Sequence, residues 1–120
     1  MLYCDTHAHI DFDNFDADRQ EVIKKAKDAG LGFIINIGID IETSQKSVNL
    51  VDENPGFIYA AVGLHPNYSS DFSQEVVSKL EILADHAGVV AIGEVGLDFY
   101  RDYATPAQQK IALSAQLELA

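Results

Sequence analysis

The chain has 120 residues, 48% of them hydrophobic, with five Tyr and six Phe. That is enough for one domain burying roughly two-thirds of its unfolded surface, and too apolar for a disordered segment. A formal net charge of −11 opposes stable basic-patch binding of nucleic acid, but leaves open catalysis at a phosphate where metal ions supply the positive charge.

The first strand is read over 2–9, LYCDTHAH, an apolar start that runs into His7 and His9. Side chains at i and i+2 share a face of a strand, so both imidazoles are expected side by side. An amphipathic helix follows over 18–29, with Val22, Ile23, Ala26 and Ala29 on one stripe and Gly30 as its stop. LGFIINIG is apolar on both faces, as a buried parallel strand requires. The next helix, IETSQKSVNLVDEN, turns Val48 and Val51 inward and ends at Asn54-Pro55-Gly56.

FIYAAVG is the third strand, and SQEVVSKLEILADH the third helix, with Val76, Val77, Leu80, Leu83 and Ala84 inward. GVVAIGEVG is the fourth strand. Thr105-Pro106-Ala107-Gln108 reads as a capping box with proline at the first helical position, opening the fourth helix. Four strand–helix units with no linker favour a parallel α/β sheet with right-handed crossovers. The chain stops in mid-helix at QLELA without a cap. Four units are half of a TIM-type (β/α)8 barrel of roughly 250 residues. The expectation is therefore that 1–120 is the N-terminal half of one barrel domain, truncated within the fourth helix.

In parallel α/β folds chemistry collects at the C-terminal strand ends. Strand one ends in His7 and His9, strand two near Asn36 and Gly38, strand three in Gly63-Leu64-His65-Pro66, and strand four in Gly93-Glu94-Val95-Gly96-Leu97-Asp98. Two neutral imidazoles beside a carboxylate suit a divalent cation. Glu94, flanked by Val90, Ala91, Ile92 and Val95, is costly to bury unless paired or metal-bound. The alternatives are a hydrogen-bonded core pair for His7 and His9, a structural His-Pro turn at His65, and an ordinary ion pair for Glu94. His86 reads as a surface residue near a helix end, Cys4 as a packed small hydrophobe, and Asp5 as a residue that orients an imidazole or is simply solvated. Lys24, Lys25 and Lys27 read as a solvated helix face, and Arg101 as a surface residue within reach of a phosphate. A single cysteine suggests a reducing, cytoplasmic compartment, no cleavable leader is recognisable, and the apolar runs are too short to cross a bilayer.

With DTHAHID, GLHPN and IGEVGLDFYRD in view, the chain resembles the TatD family of metal-dependent deoxyribonucleases, part of the amidohydrolase-like group. The resemblance covers all 120 residues. It implies a (β/α)8 barrel with a divalent metal centre at its top. It casts His7 and His9 as ligands of a first metal, Glu94 as the carboxylate bridging two metals, and His65 as a catalytic-site histidine touching substrate phosphate. Asn67 stands where many relatives carry histidine. Two further histidines and an aspartate, drawn by the family from later strands, have no counterpart in these residues. The implied reaction is hydrolysis of DNA phosphodiesters, from a strand end, by metal-activated water. Two ions are expected in the complete protein, with Mg, Mn and Zn as the choices. Two rivals stand beside it. One is a related metal hydrolase acting on a small ester or amide. The other is a non-catalytic half-barrel that self-associates or needs a complementing half.

Overall fold

The structure is a computed structural model that describes residues 3–120. Leu2, expected at the head of the first strand, and Met1 before it lie outside the described residues. Strands β1 (Tyr3–Ala8), β2 (Leu31–Ile37), β3 (Ile58–Val62) and β4 (Val89–Ile92) alternate with helices α1 (Arg19–Asp28), α2 (Ile41–Glu53), α3 (Gln74–Ala84) and α4 (Pro106–Leu119). The strands form one sheet in the order β1-β2-β3-β4, and every neighbouring pair is parallel. This is the architecture of the first half of a (β/α)8 barrel, as the strand–helix periodicity requires.

Local signals account for the helix limits. Asp40 and Thr43 form a reciprocal capping box at the start of α2, and Thr105 and Gln108 form another ahead of Pro106. Ser73 accepts from the Val76 amide at the start of α3. Gly30 takes a φ of 85° just past α1, a conformation costly for any residue with a Cβ.

The core lies between the sheet and its helices. One cluster joins Ile23 of α1 to Ile34, Leu50, Val51, Ile58 and Ala60. A second joins Val48, Val62 and Leu64 to Leu80 and Leu83 of α3 and Ala112 of α4. Among the described residues no helix is long and apolar enough to cross a membrane.

Several expectations are corrected. Cys4 is exposed, not packed, because β1 is an edge strand paired with β2 alone. Ala29 caps α1 and is exposed, while Val22 is only half-buried. β4 stops at Ile92, so Glu94 follows the strand instead of lying within it. Lys24 and Lys25 make surface pairs with Asp28 and Glu21. Lys27, in contrast, reaches Asn54 Oδ1 at 3.2 Å and lies 4.9 Å from the centre of the Phe57 ring.

Candidate metal centre

The end of β2 contributes backbone to the site, and its neighbours contribute side chains. Three successive carbonyls, at positions 37, 38 and 39, each receive a donor from a different segment. Ile37 O lies 2.9 Å from His9 Nδ1, Gly38 O accepts from the Glu94 amide at 2.9 Å, and Ile39 O accepts from the His65 amide at 2.8 Å. The chain following β1, β4 and β3 is thus registered on one short stretch of backbone.

Those contacts also set the imidazole protons. A carbonyl only accepts, so neutral His9 carries its proton on Nδ1 and leaves the Nε2 lone pair free. His65 is arranged the other way. Its Nδ1 accepts from the Asn67 amide at 3.1 Å, which leaves the proton on Nε2. One histidine is prepared to ligate and the other to donate.

Glu94 stands between them. Its Oε2 is 3.5 Å from His7 Nε2 and 3.9 Å from His9 Nε2, while Oε1 is 3.5 Å from His65 Nε2. The two nitrogens of His7 and His9 are 3.3 Å apart. Ligand atoms about 2.0–2.1 Å from a tetrahedral ion stand about 3.3–3.4 Å from one another, so the His7–His9–Glu94 spacing fits a single divalent cation. Among the described residues these are the three that form such a group. His65 faces the other carboxylate oxygen. Glu94 is one-third exposed, so the deep-burial cost expected from its apolar neighbours is absent. Its position on the open β4 side explains this.

Residues around the group hold the loops in place. Asn36 is fully buried; its Oδ1 accepts from the Ile10 amide at 2.6 Å, and its Nδ2 donates to Asp11 Oδ1 at 2.7 Å and Ser47 Oγ at 2.8 Å. From α1, Arg19 donates to the carbonyls of Ile10, Asp11 and Phe12. Phe12 itself stacks on the His9 ring at 4.7 Å. Burial pushes the Asp11 carboxyl above its ordinary value, with the Asn36 hydrogen bond opposing the rise. At Gly63 a Cβ would come within 2.7 Å of the Gly93 carbonyl carbon, so only glycine permits this approach of β3 to the Glu94 segment.

Sequence reasoning missed two buried glutamines. Gln116 receives the Leu64 amide at 2.6 Å and donates to the Leu64 carbonyl at 3.1 Å. Gln109 receives the Asp98 amide at 2.8 Å and donates to the carbonyls of Asp98 and Ala104. Both sit on the face of α4 that also carries buried Ala112, and glutamines spaced by seven on an apolar helix face were the available signal.

The remaining candidates play local parts. Asp5 accepts from the His7 backbone amide at 3.0 Å instead of orienting its ring. Arg101 is exposed and pairs with Asp98. His86 bridges to Asp52 Oδ1 at 3.1 Å, tying the end of α3 to α2. Asp98 accepts from the Tyr100 and Arg101 amides, and its carboxyl is held below the ordinary value chiefly by the Arg101 amide.

A sequence model of the family described as TatD related DNase matches residues 4–120. The chain belongs to the TatD family. A protein of Yersinia pseudotuberculosis serotype O:3 (strain YPIII) named 3'-5' ssDNA/RNA exonuclease TatD is 43% identical over 106 residues, which are 88% of this chain and 41% of that protein. A protein of Bacillus subtilis (strain 168) named uncharacterized metal-dependent hydrolase YabD is 38% identical over all 120 residues and 46% of its own length. The crystal structure of YJJV, a TatD homolog from Escherichia coli K12, superposes with a TM-score of 0.85 at 35% identity, covering 98% of this chain and 46% of that one. The chain thus spans about half the length of the TatD relatives it matches.

Proposed function

We propose that the protein hydrolyses DNA phosphodiester bonds from a strand end, and that 1–120 is the N-terminal half of its single barrel domain. The reading rests on one observation: His7 Nε2, His9 Nε2 and Glu94 Oε2 converge at ligand spacing while His65 Nε2 faces the second carboxylate oxygen. Family membership and the exonuclease name carried by the Yersinia relative support it.

In this reading His7, His9 and Glu94 hold a divalent cation, and the two Glu94 oxygens allow a second ion to share that carboxylate in the complete protein. When bound, such ions supply Lewis acidity at the phosphate and lower the pKa of water toward neutrality. The chain's own residues do the rest. Ile37 O fixes the His9 tautomer, and Phe12 stacks on that ring and steadies its orientation. His65, with its proton on Nε2, donates to a phosphate oxygen of the substrate and steadies charge that develops there. The imidazole pair favours zinc, whereas phosphate chemistry suits magnesium or manganese. Stripping with chelator and adding back each ion singly would identify the metal.

The test is His7→Ala in the natively expressed protein. Divalent-dependent cleavage of an oligonucleotide is expected to be abolished, and undiminished cleavage would overturn the assignment. The same assay on small esters and amides separates the nuclease reading from a related hydrolase, for which the general name of the Bacillus relative leaves room.

A further inference from the structure

Arg19 is the first residue of α1, and its place there runs against local helix preference. A cation at a helix N-terminus faces the positive end of the dipole, and Asp18 before it makes no side-chain cap. The reason for arginine here lies in tertiary contacts. Its side chain is 23% exposed and gathers three consecutive carbonyls of the loop that leaves β1. Nε donates to Ile10 O at 2.7 Å, and Nη2 lies 3.1 Å from both Asp11 O and Phe12 O. Asp16 Oδ1 pairs with the same Nη2 at 2.6 Å and balances the charge.

These carbonyls follow His9 directly. The Phe12 amide turns back onto His9 O at 3.3 Å, and the Phe12 ring stacks on the imidazole at 4.7 Å with 19° between the planes. Ile37 O gives the imidazole one fixed point, at Nδ1. A single hydrogen bond leaves a ring free to swing about it. The Phe12 ring gives the second fixed point, and Arg19 sets where that ring stands. A planar fork with fixed donor directions suits this task, whereas the point charge of a lysine does not.

Resting on the reading of His9 as a metal ligand, we propose that Arg19 is a positioning residue for the cation site. By clamping the carbonyls of Ile10, Asp11 and Phe12 it seats the Phe12 ring against His9, and so keeps His9 Nε2 turned toward His7 and Glu94. It touches neither ion nor substrate. Its own charge opposes the binding of a cation, so what it contributes to the site is geometry.

The experiment uses the natively expressed protein and takes two readings. One is the imidazole nitrogen NMR spectrum of His9 in chelator, at a pH where the ring is neutral; the other is the Kd for manganese. In the wild type His9 is expected as one tautomer, protonated at Nδ1. Arg19→Met should mix the two tautomers and weaken the Kd about tenfold, the scale seen when a residue that orients a metal ligand is lost. Loss of a positive charge would by itself move the Kd the other way. Phe12→Leu should reproduce both effects, and combining it with Arg19→Met should add little, because both changes cut one route. Ile23→Val, on the buried face of the same helix, controls for lost stability: with its melting temperature lowered it should keep both readings at wild type. An unchanged His9 spectrum in Arg19→Met overturns the proposal. So does an unchanged or tighter Kd where the wild type binds manganese, and the metal reading then stands. A mixed spectrum in Arg19→Met, with no manganese taken up by the wild type, overturns the metal reading and leaves the clamp in place. No uptake together with an unchanged spectrum overturns both. Fully additive losses in the double variant overturn the route through Phe12.

Discussion

At the scale of single residues, hydrogen bonds assign different chemistry to side chains of the same type. His9 and His65 both meet the backbone through Nδ1, but His9 faces a carbonyl and His65 an amide, which leaves a free lone pair on His9 Nε2 and a proton on His65 Nε2. Neither proton position can be read from the letters of the sequence. Asp98 offers a direct pH test of a similar backbone contact. The Arg101 amide, the Tyr100 amide and the Arg101 guanidinium all favour its charged form, so its folded pKa lies below the ordinary 3.8. A depressed carboxylate stabilises the fold fully above that ordinary value and loses the contribution as pH falls through the depressed one. Asp98→Asn keeps an oxygen acceptor for both amides but cannot titrate. Wild type is therefore expected to be the more stable at neutral pH, with the difference vanishing on the acid limb. Chemical denaturation across that range checks it, and a pH-independent difference would contradict the account.

At the scale of elements, α4 fastens two loops of the site. Gln116 holds the peptide just ahead of His65, and Gln109 holds the loop that returns from β4 to α4. Gln116→Met keeps the length of the side chain but strands the amide and carbonyl of Leu64 without partners. A loss of about 2–6 kcal/mol is expected, because each of the two buried orphans costs about 1–3 kcal/mol. Urea denaturation measures it, and a midpoint equal to wild type would show that the loop does not need the bracket. The strand–helix alternation, the capping box at Thr105 and the grouping of His7, His9, His65 and Glu94 at one sheet edge were legible in the sequence, because they depend on local periodicity and chain order. The buried glutamines were not. A polar side chain on a helix normally faces water, and only the docked loops make an inward glutamine favourable. The exposure of Cys4 was equally hidden, since alternation along a strand says which residues share a face but not whether anything covers it. The exposure of Glu94 escaped for a related reason: apolar sequence neighbours do not enclose a residue that lies beyond the end of β4.

At the scale of the molecule, β1 and β4 are the edges of the sheet among the described residues, each paired on one side. Val90 of β4 is 51% exposed, and Ile111 and Leu117 of α4 are exposed as well. Open edges flanked by apolar side chains are templates for further pairing. A polypeptide of only these 120 residues, expressed alone, is expected to self-associate, or to be captured by a complementing half-barrel supplied in trans. Size-exclusion chromatography with light scattering checks this, and a stable monomer would contradict it. The carbonyl series at positions 37–39 has a different kind of consequence. It holds three chain segments through main-chain oxygens, which every amino acid possesses. Replacing Ile39 leaves its carbonyl in place, whereas inserting or deleting one residue there would misalign His9, His65 and Glu94 together. Divergent copies of this barrel can therefore vary in letter along much of that stretch, but not in length.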